Sequence, residues 1–315
     1  HYIFIAAPFM ICSFIMNNLL RFQGKASFAM VGITVGGLLN IALDPLFIFT
    51  LDMGTAGAAL ATGLSQFISF CILLWMCNHQ DSCISISIRK FRPKLAIYRE
   101  VLYGGIPSLG RQGIASVATI LMNFMCQPYG DAAIAAMSIV SRFMFFINSV
   151  IIGFGQGFQP VCSYCFGAGL YDRVKKACWF CIRVSTIILL VLSVISFPAA
   201  RSIITLFRRN DPTVIEIGTL ALRLQLITLP LQGAVIMGNM MPQSIGYGFR
   251  ATLVSTARQG IFLIPLLTIM TYTIGLLGIQ CAQPLADIAT FILSLFVIRG
   301  IFKEFPEDAS SFAAQ

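Results

Sequence analysis

Between Ala26 and Thr50 the chain carries one charge, Asp44, in an otherwise apolar run long enough to cross a bilayer as a helix. Comparable runs recur along the sequence, each bounded by charges or turn residues. In hydrocarbon every backbone N–H and C=O must be satisfied internally, so runs of this length are expected to become transmembrane helices. With 57% hydrophobic residues, 10% charged residues and a mean hydropathy of +0.86, a water-soluble domain would have too little polar surface. The fold class read from these features is all-α integral membrane. About nine helices are expected, at 1–20, 26–50, 55–77, 101–127, 132–165, 175–206, 213–242, 250–272 and 275–299.

Lys and Arg are distributed unevenly between the two faces such helices define. Thirteen of the 21 fall on one face, at Arg21, Lys25, Arg89, Lys90, Arg92, Lys94, Arg99, Arg173, Lys175, Lys176, Arg250, Arg299 and Lys303. The other face has only Arg208 and Arg209, and six arginines lie within the expected spans. By the positive-inside rule the first face is cytoplasmic, which puts the C-terminus there too. The net charge of +9 is thereby mostly orientation and gives no reason to expect nucleic acid. The polar stretch 78–99 reads as a basic cytoplasmic linker between a first lobe at 1–77 and a second at 100–302, with a tail at 303–315. A weak internal repeat relates them, pairing Pro45 with Pro265, Gly54 with Gly275, Gly57 with Gly278 and Gln66 with Asp287.

Asp44 is the strongest candidate for chemistry. An ionised carboxylate at membrane depth costs roughly 2.5–3.5 kcal/mol on insertion scales, so a cation or partner is expected to offset it. Asn40, one turn earlier, shares its face, and Pro45 removes the bond to the Ile41 carbonyl. The plainer reading of Asp44 is a carboxylate that caps a neighbouring helix or pairs with an intramembrane arginine. Asp287, in the segment QPLAD, is either a second proton-responsive site or an ion-pair partner of Arg142, Arg223 or Arg258, and pairing is favoured because buried arginines need anions. If most of those arginines lack partners, the cavity is basic and suits an anionic or zwitterionic substrate. Gln112, Gln156, Gln159 and Gln225 are candidate cavity residues, because an amide facing lipid is costly.

Cys162, Cys165, Cys178 and Cys181 have the spacing of a small zinc site, but both pairs lie in or beside apolar helices that cannot form a knuckle. No metal is expected. Walker, HExxH and GxSxG motifs are absent from the sequence, so neither an ATP-driven pump nor an enzyme is expected.

The segments LLRFQGK, NIALDPLFIF, MGTAGAALATGLSQ, GIPS, GQGFQPVCSYCFGAGLYDRV, RQGIFLIP and GLLGIQCAQPLAD together resemble the multidrug and toxic compound extrusion (MATE) transporters, in their bacterial branch. The resemblance spans nearly the whole chain. It implies a twelve-helix body of two six-helix lobes, with this chain starting at the fourth helix. The implied activity is secondary-active export of amphipathic organic ions in exchange for H+ or Na+, by a monomer in the bacterial inner membrane, with no cofactor beyond the coupling ion. The branch's cation or proton site matches at Asn40, Asp44 and Thr62, with Asn17 lining the same cavity; the Gln residues above, Arg142, Arg258 and Asp287 are then candidates for the substrate cavity. A flippase for lipid-linked saccharides on the same architecture, and a membrane receptor or channel, are the alternatives.

Overall fold

In the computed structural model, residues 2–79, 94–209 and 211–305 are described, and they fall into two compact units, His1–Lys94 and Leu95–Gln315. The first unit is a three-helix body. Helix α1 spans Tyr2–Phe22, α2 spans Ala26–Pro45 and continues as a π-helical turn over Leu46–Thr50, and α3 spans Gly54–His79. Small residues on one stripe of α2, Ala29, Gly32 and Gly36, are buried and let α3 approach closely. Ser69 of α3 donates to the Gly32 carbonyl at 2.9 Å and Leu73 packs over the same stripe. Such contacts replace the hydrophobic effect as the source of cohesion, since lipid tails are as apolar as leucine. Phe9 of α1 meets Phe67 edge-on at 5.1 Å, and Phe70 at 5.5 Å.

The second unit contains α4 (Leu95–Cys126), α5 (Asp131–Gly167), α6 (Tyr171–Phe207), α7 (Pro212–Thr228), α8 (Gln232–Ser244), α9 (Gly248–Thr256), α10 (Ile264–Ile274) and α11 (Leu276–Glu304). Asp211 starts α7 by accepting the Val214 N–H at 3.3 Å, and Pro212 follows at the first helical position, where a missing N–H costs nothing. A 3-10 turn over Leu229–Leu231 joins α7 to α8, and a π-helical turn over Ala257–Leu263 joins α9 to α10. Both joints lie at or just before a proline, Pro230 and Pro265. The core is built by α5, α6, α7, α8 and α11. Buried serines tie it together: Ser193 donates to the Leu226 carbonyl at 2.7 Å and Ser294 to the Ala234 carbonyl at 3.0 Å.

Among the described residues seven rods are long and apolar enough to cross a membrane, and only 17–44% of each apolar window is buried. Their outer faces carry Phe49, Phe145 and Phe296, all well exposed, as expected where lipid is the solvent. In α1 the described apolar stretch, Ala6–Phe22, is shorter, and α4 is not among the seven. The expected boundaries need three corrections. Helix α3 runs on to His79 and α4 already begins at Leu95, so both ends of the expected linker are helical, while its residues 80–93 lie outside the described part. Helix α11 continues through Lys303 and Glu304, residues assigned to the tail, because Arg250 of α9 grips the Glu304 carboxylate with both terminal nitrogens. Residues 306–315 of the expected tail lie outside the described part.

The sequence repeat has a structural counterpart in each unit. Gly54 and Gly275 both take positive φ, 53° and 70°, and start the helix that follows. Three residues on, Gly57 lies against the Phe47 carbonyl and Gly278 against the Met270 carbonyl; an added Cβ would stand 2.6 Å and 2.0 Å from those oxygens.

Candidate functional site

In the first unit Asn40 and Asp44 share a face of α2, and Thr62 of α3 completes a three-residue group. The Asn40 side-chain amide donates to Asp44 Oδ1 and to Thr62 Oγ1, each at 3.4 Å. Thr62 in turn donates to the Ala58 carbonyl at 2.9 Å. Contacts of 3.4 Å are looser than ordinary amide hydrogen bonds, which cluster near 2.9 Å. Asp44 is half-buried. Among the described residues the ion pairs are Arg208–Asp211, Arg250–Glu304 and Arg258–Asp287, and Asp44 belongs to none of them.

The backbone beside Asp44 is also rearranged. Pro45 has no N–H to give, the Leu46 N–H bonds the Leu43 carbonyl three residues back, and the Leu51 N–H bonds the Leu46 carbonyl five residues back at 3.1 Å. A carboxylate, an amide and a hydroxyl around a loosened helix turn suit a hard cation or a proton. Asn17 does not join them. It is buried, and its amide donates to the Ala29 carbonyl at 2.8 Å. Ala29 stands eleven residues before Asn40 on α2, about 16 Å along the helix at 1.5 Å per residue.

The second unit contains another acid deep in an apolar helix, in a contrasting setting. Asp287 on α11 is 1% exposed and fully engaged. Its Oδ1 accepts from Arg258 Nε at 2.8 Å and from Gln283 Nε2 at 3.2 Å, and its Oδ2 accepts from Gln232 Nε2 at 2.8 Å. Arg258 comes from the π-helical turn before Pro265, and Gln232 from the first position after the Pro230 break. Gln232 was not among the expected site residues; its only sequence signal is an amide two residues after a proline inside an apolar run. Of the other expected cavity residues, Gln159 donates to Gln243 Oε1 at 3.4 Å, Gln156 is half-buried one turn earlier, Gln225 is buried in α7, and Gln112 and Arg142 are exposed. Cys162, Cys178 and Cys181 are buried with Cys165 beside them, and α5 and α6 run on as helix through both pairs. Among the described residues no cluster of three or more His, Cys, Asp or Glu is placed to hold a metal ion.

A cleft of about 770 Å³ opens within the second unit between α6, α7 and α11. Arg201, Glu216, Arg223 and Gln280 line it, with Ile215, Leu220, Leu276 and Leu277 among its apolar walls. None of the cavity residues expected from the sequence lines this cleft.

A protein-family model described as MatE matches residues 107–277. A multidrug export protein, MepA, of Staphylococcus haemolyticus strain JCSC1435 is 28% identical over 308 residues, covering 98% of this chain and 68% of the relative. Among solved structures, an outward-facing multidrug resistance MATE transporter of the MOP superfamily superposes with a TM-score of 0.85 at 26% identity, covering 93% of this chain and 66% of its own. A crystal structure of a MATE P26A mutant superposes with a TM-score of 0.89 at 24% identity, covering 96% and 68%, a likeness of fold. The chain thus spans about two thirds of the length of the proteins it matches.

Proposed function

The chain belongs to the MatE family, and we propose that it acts as a secondary-active multidrug efflux transporter, moving amphipathic organic ions outward in exchange for H+ or Na+ at Asp44. The family match and the likeness to MepA support the activity. One observation carries the choice of residue: of the two acids set deep in apolar helices, Asp287 is held by a guanidinium and two amides, whereas among the described residues Asp44 has only a loose amide contact. An acid without a fixed cation is open to a mobile one. Binding there draws Asn40 and Thr62 toward the carboxylate and biases the helix turn that Pro45 has loosened. The ion's different affinity for the two arrangements is then the source of work. The membrane is the bacterial inner membrane, the C-terminus is cytoplasmic and the transporter is monomeric in this reading.

The experiment is substrate transport in everted membrane vesicles, driven in turn by a proton gradient and by a sodium gradient, for the wild type and D44N. Gradient-driven transport in the wild type that is lost in D44N supports the reading, and the gradient that works names the ion. Transport by D44N at the wild-type rate overturns Asp44 as the coupling residue. A receptor or channel would show no gradient-driven uphill transport. A lipid-linked saccharide would need free basic side chains for its phosphate, and the charge of Arg258 is already used on Asp287.

A further inference from the structure

The cleft between α6, α7 and α11 is the least explained feature of the second unit. Its charges do not neutralise one another: among the described residues neither Arg201 nor Arg223 nor Glu216 forms an ion pair. Arg223 is placed where a charge is costly. It lies eleven residues into the span that begins at Pro212, about 16 Å along the helix, with its guanidinium 5.5 Å from the Phe197 ring centre. It also stands toward the membrane face that holds few cations, so orientation does not account for it.

We propose that this cleft seats the head group of an aminophospholipid, its phosphodiester on Arg201 and Arg223 and its ammonium on Glu216. The order of the charges along the helices matches the order of groups in such a lipid. Glu216 is four residues from the start of α7, about 6 Å deep; Arg201 is six residues from the end of α6, about 9 Å deep; Arg223 is the deepest. In an aminophospholipid the ammonium is outermost and the phosphate lies between it and the acyl chains. Arg201 and Arg223 line the same cleft, and the Arg223 guanidinium lies against Phe197, one turn before Arg201 on α6. Two guanidiniums suit a phosphate, which they can hold through paired N–H donors. Gln280 fixes the wall by donating to the Ile217 carbonyl at 3.1 Å. Exposed Leu220 and Leu277 give the chains an apolar surface. A purely anionic lipid would leave Glu216 facing like charge. The inference rests on the chain spanning a bilayer and is independent of ion coupling at Asp44.

The test is native mass spectrometry of the protein released from bilayers that contain phosphatidylethanolamine, phosphatidylcholine and phosphatidylglycerol in equal parts. The wild type is expected to retain phosphatidylethanolamine about tenfold over either competitor, the size of one charge-assisted contact. E216Q should erase that preference and still hold phospholipid, and R201Q/R223Q should lose retention. The elution profile of each variant on size exclusion reports its folding. Equal retention of the three lipids by the wild type, or a preference unmoved by R201Q/R223Q, overturns the proposal. Preferential retention of phosphatidylglycerol, unaffected by E216Q, overturns the ammonium assignment and with it the aminophospholipid. D44N should retain the wild-type preference even if transport fails, which separates this inference from the transport reading.

Discussion

Arg258 donates through Nε to Asp287 Oδ1 across 2.8 Å, joining the widened turn between α9 and α10 to a buried carboxylate on α11. The pair consumes the charge of both residues. Its hydrogen-bonded amides, Gln232 and Gln283, come from a proline break and from the preceding turn of α11.

Removing one member should therefore cost more than removing both. D287A leaves Arg258 partly buried and unpaired, and is expected to lower stability by about 3–5 kcal/mol. R258M/D287L, with apolar residues of similar volume, should come within about 1–2 kcal/mol of the wild type or exceed it. Thermal unfolding of the purified variants in one detergent checks the order; a double variant less stable than D287A would contradict it.

Asp44 should behave in the opposite way. Among the described residues no basic side chain pairs with Asp44, so the unfolding temperature of D44N should match or exceed the wild type while uphill transport falls to the rate seen without a gradient. N40A and T62A should lower the apparent affinity for the driving ion, read as a shift in the ion concentration that gives half-maximal transport.

Asn17 separates cohesion from coupling. Its 2.8 Å bond to the Ala29 carbonyl ties α1 to α2, and N17L should lower stability by about 1 kcal/mol, the scale of interhelical hydrogen bonds in membranes. Ion dependence of transport should stay at the wild-type value, and a changed ion dependence would return Asn17 to the coupling group.

At Gly278 an added Cβ would stand 2.0 Å from the Met270 carbonyl oxygen, which is backbone and cannot step aside. G278A is expected to lose about 1–3 kcal/mol by overpacking, and G57A, at 2.6 Å from Phe47, to lose somewhat less. G37A, with nothing within 4 Å, should be neutral or slightly stabilising. Unfolding temperatures of the three variants settle the ranking.

Much of this molecule could be read from local pattern. Run length gave seven of the nine expected rods among the described residues, and the four-residue spacing put Asn40 and Asp44 on one face. The rearranged turn after Pro45 followed from its missing N–H. What escaped was pairing over distance. Gln232 meets Asp287 across 55 residues, and no periodicity in either helix announces it. The bond from Asn17 to the Ala29 carbonyl was not legible either, because an asparagine suits a cavity and an interhelical bond equally well and only packing brings the two together. The cleft draws Arg201, Glu216 and Leu277 from three helices, so it exists only once α6, α7 and α11 are assembled. Helices continue as charged turns past the apolar run, as at Leu95 and Glu304, because a helix satisfies its own backbone in water as well as in lipid, and run length does not mark such ends.

The corner that starts with Gly54 recurs at Gly275, down to the glycine pressed on a carbonyl three residues later. The shared corner makes each of these segments a partial map of the other. Tolerance measured by scanning every substitution through 45–66 should rank the outcomes at the equivalent positions near 265–287. The ranking should break where the copies have diverged in charge, at Gln66 and Asp287, and those breaks would locate the specialised positions of each half without any ligand in hand.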